Sequence, residues 1–247
     1  MRIGTAGWVL SREVTANFPG EGRHLQRYAR VLDCAEINSS FHRSHRIAVY
    51  ERWAASTPPA FRFAAKLPRS ITHDGKLRRK REPLARFLNE VAGLGERLAV
   101  LLVQLPPSLA FEIRQVRVFF RLLRDSFAGA VICEPRHATW FTPAVDRELV
   151  ALGVGRAATN PARWPDAARP GGWLGPAGDG CGAVVYYRWH GEPRMYWSRY
   201  EPQWLRAQAS NLIGWPREAD CWCVFDNTAS GAAIVNALQL RALVDAP

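Results

Sequence analysis

No run in these 247 residues approaches the roughly 18 to 20 consecutive apolar side chains that a membrane helix needs. The opening Met1-Arg2-Ile3-Gly4-Thr5 also lacks the apolar region of a secretion signal, so a cytoplasmic protein with no membrane partner is expected. Cysteine is scarce: Cys34, Cys133, Cys181, Cys221 and Cys223 are five, an odd number lying mostly in apolar stretches. They read as reduced core residues rather than a disulfide framework. Cys221-Trp222-Cys223 leaves one residue between its thiols, which is neither the zinc nor the thioredoxin spacing, and on a strand both would face the same side. No Gly-x-Gly-x-x-Gly or P-loop pattern follows any apolar run, so no nucleotide cofactor is expected. Acidic side chains are outnumbered 22 to 33 by Lys and Arg, for a formal charge of +11. Such a field draws anions without specifying one.

Core material is ample. With 48% hydrophobic and 11% aromatic residues, a chain of this length matches a single α/β barrel, so one domain over 1–247 is expected. Short apolar runs alternate with amphipathic ones. Strands are predicted at Arg2–Ala6, Ala35–Asn38, Phe61–Lys66, Leu98–Gln104, Gly129–Cys133, Val154–Ala158, Ala183–Trp189 and Cys221–Phe225. Helices are predicted at His24–Leu32, Ile47–Ser56, Leu84–Leu94, Val116–Leu123, Pro143–Leu152, Gln203–Leu212 and Ala232–Val244. The Gly, Pro and Ala-rich stretch of about 160–182 is too long for an ordinary connection and reads as an ordered loop over one end of the fold. This alternation is a parallel α/β pattern, and size with regular repetition favours a closed (β/α)8 TIM barrel over an open doubly wound sheet.

The stretch Gly129–Trp140 organises the functional reading: a buried strand stops abruptly in Glu134, Pro135, Arg136, His137 and Trp140. Polar residues gather at the same end of nearly every strand. Trp8, Glu36, Asn38, Lys66, Gln104, Glu134, Arg136, His137, Arg188, His190, Asp226 and Asn227 would all converge on one mouth of a barrel. The series Ile3-Gly4-Thr5-Ala6-Gly7-Trp8, Glu36-Ile37-Asn38-Ser39-Ser40-Phe41, Lys66 to His73, Gln104-Leu105-Pro106-Pro107, Glu134-Pro135-Arg136-His137, Arg188-Trp189-His190-Gly191 and Phe225-Asp226-Asn227 resembles the YecE-like family, domain of unknown function 72 (DUF72). The resemblance covers essentially the whole chain. It implies a TIM barrel and leaves the reaction open. Two positions depart from the family pattern: His42, where tyrosine is usual, and Asp226, where asparagine is usual.

Glu36, Glu134, Lys66 and His190 are the candidate catalytic groups. Two carboxylates in one pocket can have their pKa values pushed apart into acid and base, or they can be tied into salt bridges with Lys66, Arg136 or Arg188. Lys66 is either a base or Schiff-base amine, or a cation paired with the glutamates. His73, His137 and His190 with Glu36, Glu134 and Asp226 include the ligand types of a divalent metal site, without a tight motif such as His-Glu-x-x-His; alternatively the histidines bind anions or exchange protons. Arg136, Arg188 and Asn38 suit a phosphate or carboxylate clamp. Trp8, Asn38, His73, Gln104, Arg136, His137, Trp140, Arg188, Asp226 and Asn227 are the candidate substrate contacts. These residues point to a TIM-barrel enzyme using acid-base chemistry, with or without a metal, on an anionic, phosphorylated or sugar-like small molecule. The alternative is a nucleic-acid-binding protein or nuclease whose footprint is the basic run Lys76, Arg78, Arg79, Lys80 and Arg81.

Overall fold

Apolar runs that would be wet on neither face form the staves of a single sheet in the computed structural model, which describes residues 1–78, 81–176, 178, 180 and 182–246. The strands are β1 (Arg2–Ala6), β2 (Cys34–Ile37), β3 (Arg62–Lys66), β4 (Leu98–Gln104), β5 (Ala130–Glu134), β6 (Val154–Arg156), β7 (Ala158–Asn160), β8 (Gly171–Gly172), β9 (Val184–Trp189) and β10 (Asp220–Phe225). The helices are α1 (His24–Tyr28), α2 (Ser39–His42), α3 (Ile47–Ala55), α4 (Arg81–Val91), α5 (Ile113–Ser126), α6 (Pro143–Ala151), α7 (Pro202–Ile213) and α8 (Ala232–Val244).

The strands lie in the order β7-β9-β10-β1-β2-β3-β4-β5-β6-β8. Every pairing is parallel except that of β8 with β6. The predicted sixth strand is broken at Ala157. Its lower half, β6, pairs with β5 through Val131 and Val154, while its upper half, β7, pairs with β9 through Ala158 and Tyr187. β6 and β7, at opposite ends of the parallel series, are thus consecutive in the chain, and this brings the sheet round into a nearly closed α/β barrel of the TIM type. Most other boundaries moved by one to four residues, two of them for reasons visible in the structure. The helix predicted over His24–Leu32 is regular only to Tyr28, whose hydroxyl accepts from Thr5 N–H (2.8 Å) and donates to Cys34 C=O (2.9 Å), pinning that turn to β1 and β2. The strand predicted over Gly129–Cys133 runs one residue further, because Glu134 stays in register with Gln104.

Alternation divides the core in two. Cys34, Ala64, Val100, Leu102, Ile132, Ala157, Tyr186, Trp222 and Val224 fill the barrel interior, where Tyr186 stacks on Trp222 at 5.7 Å. The opposite strand faces, with Phe63, Leu101, Val103 and Cys133 among them, pack under the helices; α5 contributes Val116, Phe119, Phe120 and Leu123 at helical spacing. Cys221 and Cys223 share this outer face, as strand alternation requires. Cys34, Cys133, Cys221 and Cys223 are buried, unbonded thiols, and Cys181 lies outside the described residues. The loop after β7 is ordered by Arg156. Its guanidinium holds Asp146 with two hydrogen bonds (3.0 and 3.1 Å) and donates to the backbone oxygens of Asp166 and Arg169. Among the described residues no helix is long and apolar enough to cross a membrane.

Gly4, at the centre of β1, marks where the interior has no spare room: a Cβ there would lie 2.0 Å from the Cys34 carbonyl oxygen of the adjacent strand. Since the obstacle is backbone, relief requires shifting β1 from β2. The Gly4→Ala variant is therefore expected to lose about 3 kcal/mol or more in urea denaturation, with the native far-ultraviolet spectrum retained below the transition.

Candidate functional site

Alternation along the strands also sends polar residues from β2, β3, β4, β5, β9 and the end of β10 to the axis at the carboxyl ends. Glu36, Lys66, Gln104, Glu134, Arg188 and Asp226 form a polar layer directly above the apolar interior, and each is buried. At its centre is the fully buried guanidinium of Arg188. It grips Glu36 in two-pronged fashion (Nη2 to Oε1 2.6 Å, Nε to Oε2 2.9 Å), donates to Asp226 Oδ2 at 2.9 Å and also donates to Glu134 Oε2. Tyr186 donates to Glu36 Oε2 at 3.0 Å, Arg136 Nε to Glu134 Oε1 at 2.8 Å, and Asn38 Nδ2 to Asp226 Oδ1 at 3.2 Å. All six carboxylate oxygens therefore have a donor.

Burial alone would push the carboxyl pKa of Glu134 up, but Arg188 and Arg136 beside it hold it well below the usual range. Burial acts likewise on Asp226 and is outweighed by Arg188, with His190 and Lys66 adding to the effect. Burial disfavours the charge on Arg188 too, and its three carboxylates keep it firmly cationic. Lys66 behaves differently: burial and the nearby Arg188 bring its amine down to about 8, with Glu36, Glu134 and Asp226 only partly opposing them.

His190, two residues along β9's line from Arg188, is 2% exposed. Its Nδ1 is 3.1 Å from Asp226 Oδ2, and because the ionised carboxylate can only accept, Nδ1 carries the proton. Its Nε2 is buried with no hydrogen-bond partner and faces Glu134 Oε1 at 3.7 Å. His190, Glu134 and Arg136 line a cavity of about 250 Å³, walled also by Arg163, Trp164 and Met195. Trp164 Nε1 is a buried donor without a partner.

The predicted site residues divide sharply. Glu36, Asn38, Lys66, Gln104, Glu134, Arg136, Arg188, His190 and Asp226 come together at the mouth. Arg188 is no free clamp for substrate, since three carboxylates occupy it. His73 stands at the edge with its ring against Phe41 (4.9 Å), and burial with nearby Lys66, Arg69 and Arg136 lowers its pKa. Four residues have structural partners. Trp140 is fully buried and donates to Leu109 C=O at 2.8 Å. Trp8 packs edge-on against Trp53 and Phe63. His137 caps a short 3-10 turn by accepting from Thr139 N–H. Asn227 ties Ser198 C=O to Asn236. Of the basic run, Lys76, Arg78 and Arg81 are exposed, and Arg79 and Lys80 lie outside the described residues. Among the described residues no three His, Cys, Asp or Glu side chains are grouped as metal ligands.

Sequence reasoning missed Arg163, Trp164, Met195 and Tyr196, which come from irregular loops. Tyr196 sits beside Arg136 and His190 (ring centroids 5.3 Å apart) at φ +66, a backbone region that aromatic residues rarely adopt.

Fold and mouth together define a TIM-type barrel protein with a charged site at the carboxyl ends of its strands. The chain belongs to the DUF72 family, described as protein of unknown function, whose model matches residues 2–247. It is 29% identical over 138 residues, 55% of this chain, to the UPF0759 protein YecE of Escherichia coli K12, with the same figures for strain O157:H7. The match spans 50% of those curated relatives, so the chain aligns with about half their length. Among solved structures it resembles a DUF72 family protein of Enterococcus faecalis V583 (TM-score 0.79, 17% identity, 100% of this chain and 96% of the other). It also resembles one of Thermotoga maritima MSB8 (TM-score 0.77, 22% identity, 99% of each chain).

Removing one partner of a buried charge cluster leaves the others uncompensated. Arg188→Met is expected to cost about 3–5 kcal/mol in chemical denaturation at pH 7. The deficit should shrink as the pH is lowered towards 5, because the unpaired carboxylates of the variant, with raised pKa values, take up protons in its folded state.

Proposed function

We propose that the mouth is the active site of an enzyme that binds a small anion, phosphorylated or otherwise acidic, and moves a proton on it through His190. One observation carries the reading: Asp226 fixes the Nδ1–H of His190, and the opposite nitrogen is buried, unpartnered and on the wall of a cavity that also carries two arginines. A buried imidazole nitrogen left without a partner is costly unless a ligand fills the vacancy, and a carboxylate-oriented histidine is the usual form of a general base. Arg136, half-buried and held by Glu134, and Arg163, exposed on the loop after β7, would fork onto a phosphate or carboxylate. Glu36 and Arg188 form the rigid floor on which Asp226 stands. The reaction class is a proton-transfer hydrolase, lyase or isomerase. The basic charge balance assists anion capture, and four buried unbonded thiols suit the cytoplasm.

A thermal-shift screen at low and high salt tests this. Inorganic phosphate or a sugar phosphate is expected to raise the melting temperature of the native protein in both salts, and the shift should fall in Arg136→Gln. On the substrate so found, His190→Gln and Asp226→Asn should each retain binding and lose about 10²–10⁴-fold in kcat. A shift that instead requires an oligonucleotide, disappears at high salt and is abolished by neutralising Lys76, Arg78 and Arg81 would overturn the reading in favour of nucleic-acid binding.

A further inference from the structure

The chain contains only three lysines, Lys66, Lys76 and Lys80; the remaining 30 of its 33 basic residues are arginines. In a protein that uses guanidinium almost everywhere, an amine stands in the buried polar layer of the mouth. Arginine cannot be deprotonated in a protein and has no nucleophilic nitrogen at neutral pH, whereas lysine can supply one when burial favours its neutral form.

The surroundings of Lys66 are those of a reactive amine rather than of a structural cation. It ends β3, its side chain directed inward in step with Ala64, and it is 8% exposed. All six oxygens of Glu36, Glu134 and Asp226 already have other donors, and among the described residues Lys66 forms no ion pair. Its Nζ lies over the face of the Phe41 ring, 4.2 Å from the centre, a cation–π contact while the amine is protonated. Ser40 Oγ donates to the Lys66 carbonyl at 2.6 Å and so fixes the strand end against α2. Burial and Arg188 bring the amine to about 8, which raises its neutral fraction at pH 7 by about two orders of magnitude over an ordinary lysine. Lys66, Arg69 and Arg136 all act on His73, so a positive neighbourhood for an anionic group adjoins the amine.

We propose that Lys66 is a covalent nucleophile whose amine condenses with the carbonyl group of a small anionic aldehyde or ketone. The neutral Nζ adds to the carbonyl carbon, forming a C–N bond while the π electrons move to oxygen. Both amine hydrogens then leave with that oxygen as one water, giving an imine that takes a proton from solvent. The cationic imine withdraws electrons from the adjacent carbon and so acidifies its C–H bonds. From the function proposed above, this step takes only the statement that the mouth receives a small anion; it does not depend on His190.

Three lysines make the test direct. The full chain is incubated with pyruvate and, separately, with glyceraldehyde 3-phosphate, reduced with cyanoborohydride, digested and mapped by mass. With at least one probe, the reduced adduct is expected on Lys66 at a level at least about tenfold above Lys76, and it should vanish in Lys66→Arg. Absence of a clear preference for Lys66 over Lys76 with both probes overturns the proposal. A phosphate-induced thermal shift that persists with no Lys66 adduct removes the imine and leaves the anion site standing; an adduct on Lys66 in a protein that inorganic phosphate does not stabilise supports the imine and removes the phosphate site beside His190 instead.

Discussion

The guanidinium of Arg188 is the interaction on which the mouth depends. From β9 it reaches carboxylates carried by β2, β5 and the end of β10, joining opposite walls of the barrel at one point. A lone cation in this layer would face a prohibitive desolvation cost, and three carboxylates there would repel one another out of their ionised forms. Neither arrangement persists without the other. The layer is consequently a rigid electrostatic plug over the apolar interior, and the fixed position of Asp226 within it aims His190. The same saturation leaves Lys66 with no direct ion pair among the described residues.

The floor and the wall of the mouth differ in origin. The floor comes from strand ends, and every oxygen of its three carboxylates is hydrogen-bonded. The wall comes from the loops after β7 and β9, and it carries Trp164 Nε1 without a partner and Tyr196 in a left-handed backbone conformation. Strain and unmet hydrogen bonds of this kind concentrate where ligands bind. Reactive groups thus stand on the rigid part, while the contacts that would select a ligand stand on the part most open to variation.

The legibility of the sequence follows the same division. Leu98–Gln104 and Ala232–Val244 have the predicted bounds, because the doubly buried strand is a nearly continuous aliphatic run and the closing helix is apolar but for Asn236, Gln239 and Arg241. Strand-end alternation likewise brought out Glu36, Lys66, Glu134, Arg188 and Asp226. It could not show that Arg188 is consumed by three carboxylates, since that depends on distances across the barrel between residues far apart in the chain. Trp140 adjoins the polar motif in sequence, yet its indole turns into the core to reach Leu109. His137 serves as a helix cap, a role more often filled by serine, threonine, aspartate or asparagine. Arg163, Trp164 and Tyr196 lie in loops, where no periodicity reports which side chains turn inward. The break at Ala157 was hidden because an apolar run carries no mark of changing partners.

The position of β1 between β2 and β10 has a further consequence, for the order in which the chain can assemble. Arg2 lies beside Trp222, so the first strand keeps an open edge during synthesis until the tenth has left the ribosome. For part of that interval Glu36 and Glu134 are already made and Arg188 is not, so a half barrel ending just past β5 leaves Glu36 without its guanidinium and Glu134 with Arg136 alone. Such a fragment is electrostatically unfinished as well as open-edged, which disfavours its persistence as a stable intermediate and couples barrel closure to the arrival of β9 and β10. Completion of the fold and creation of the site are therefore one event.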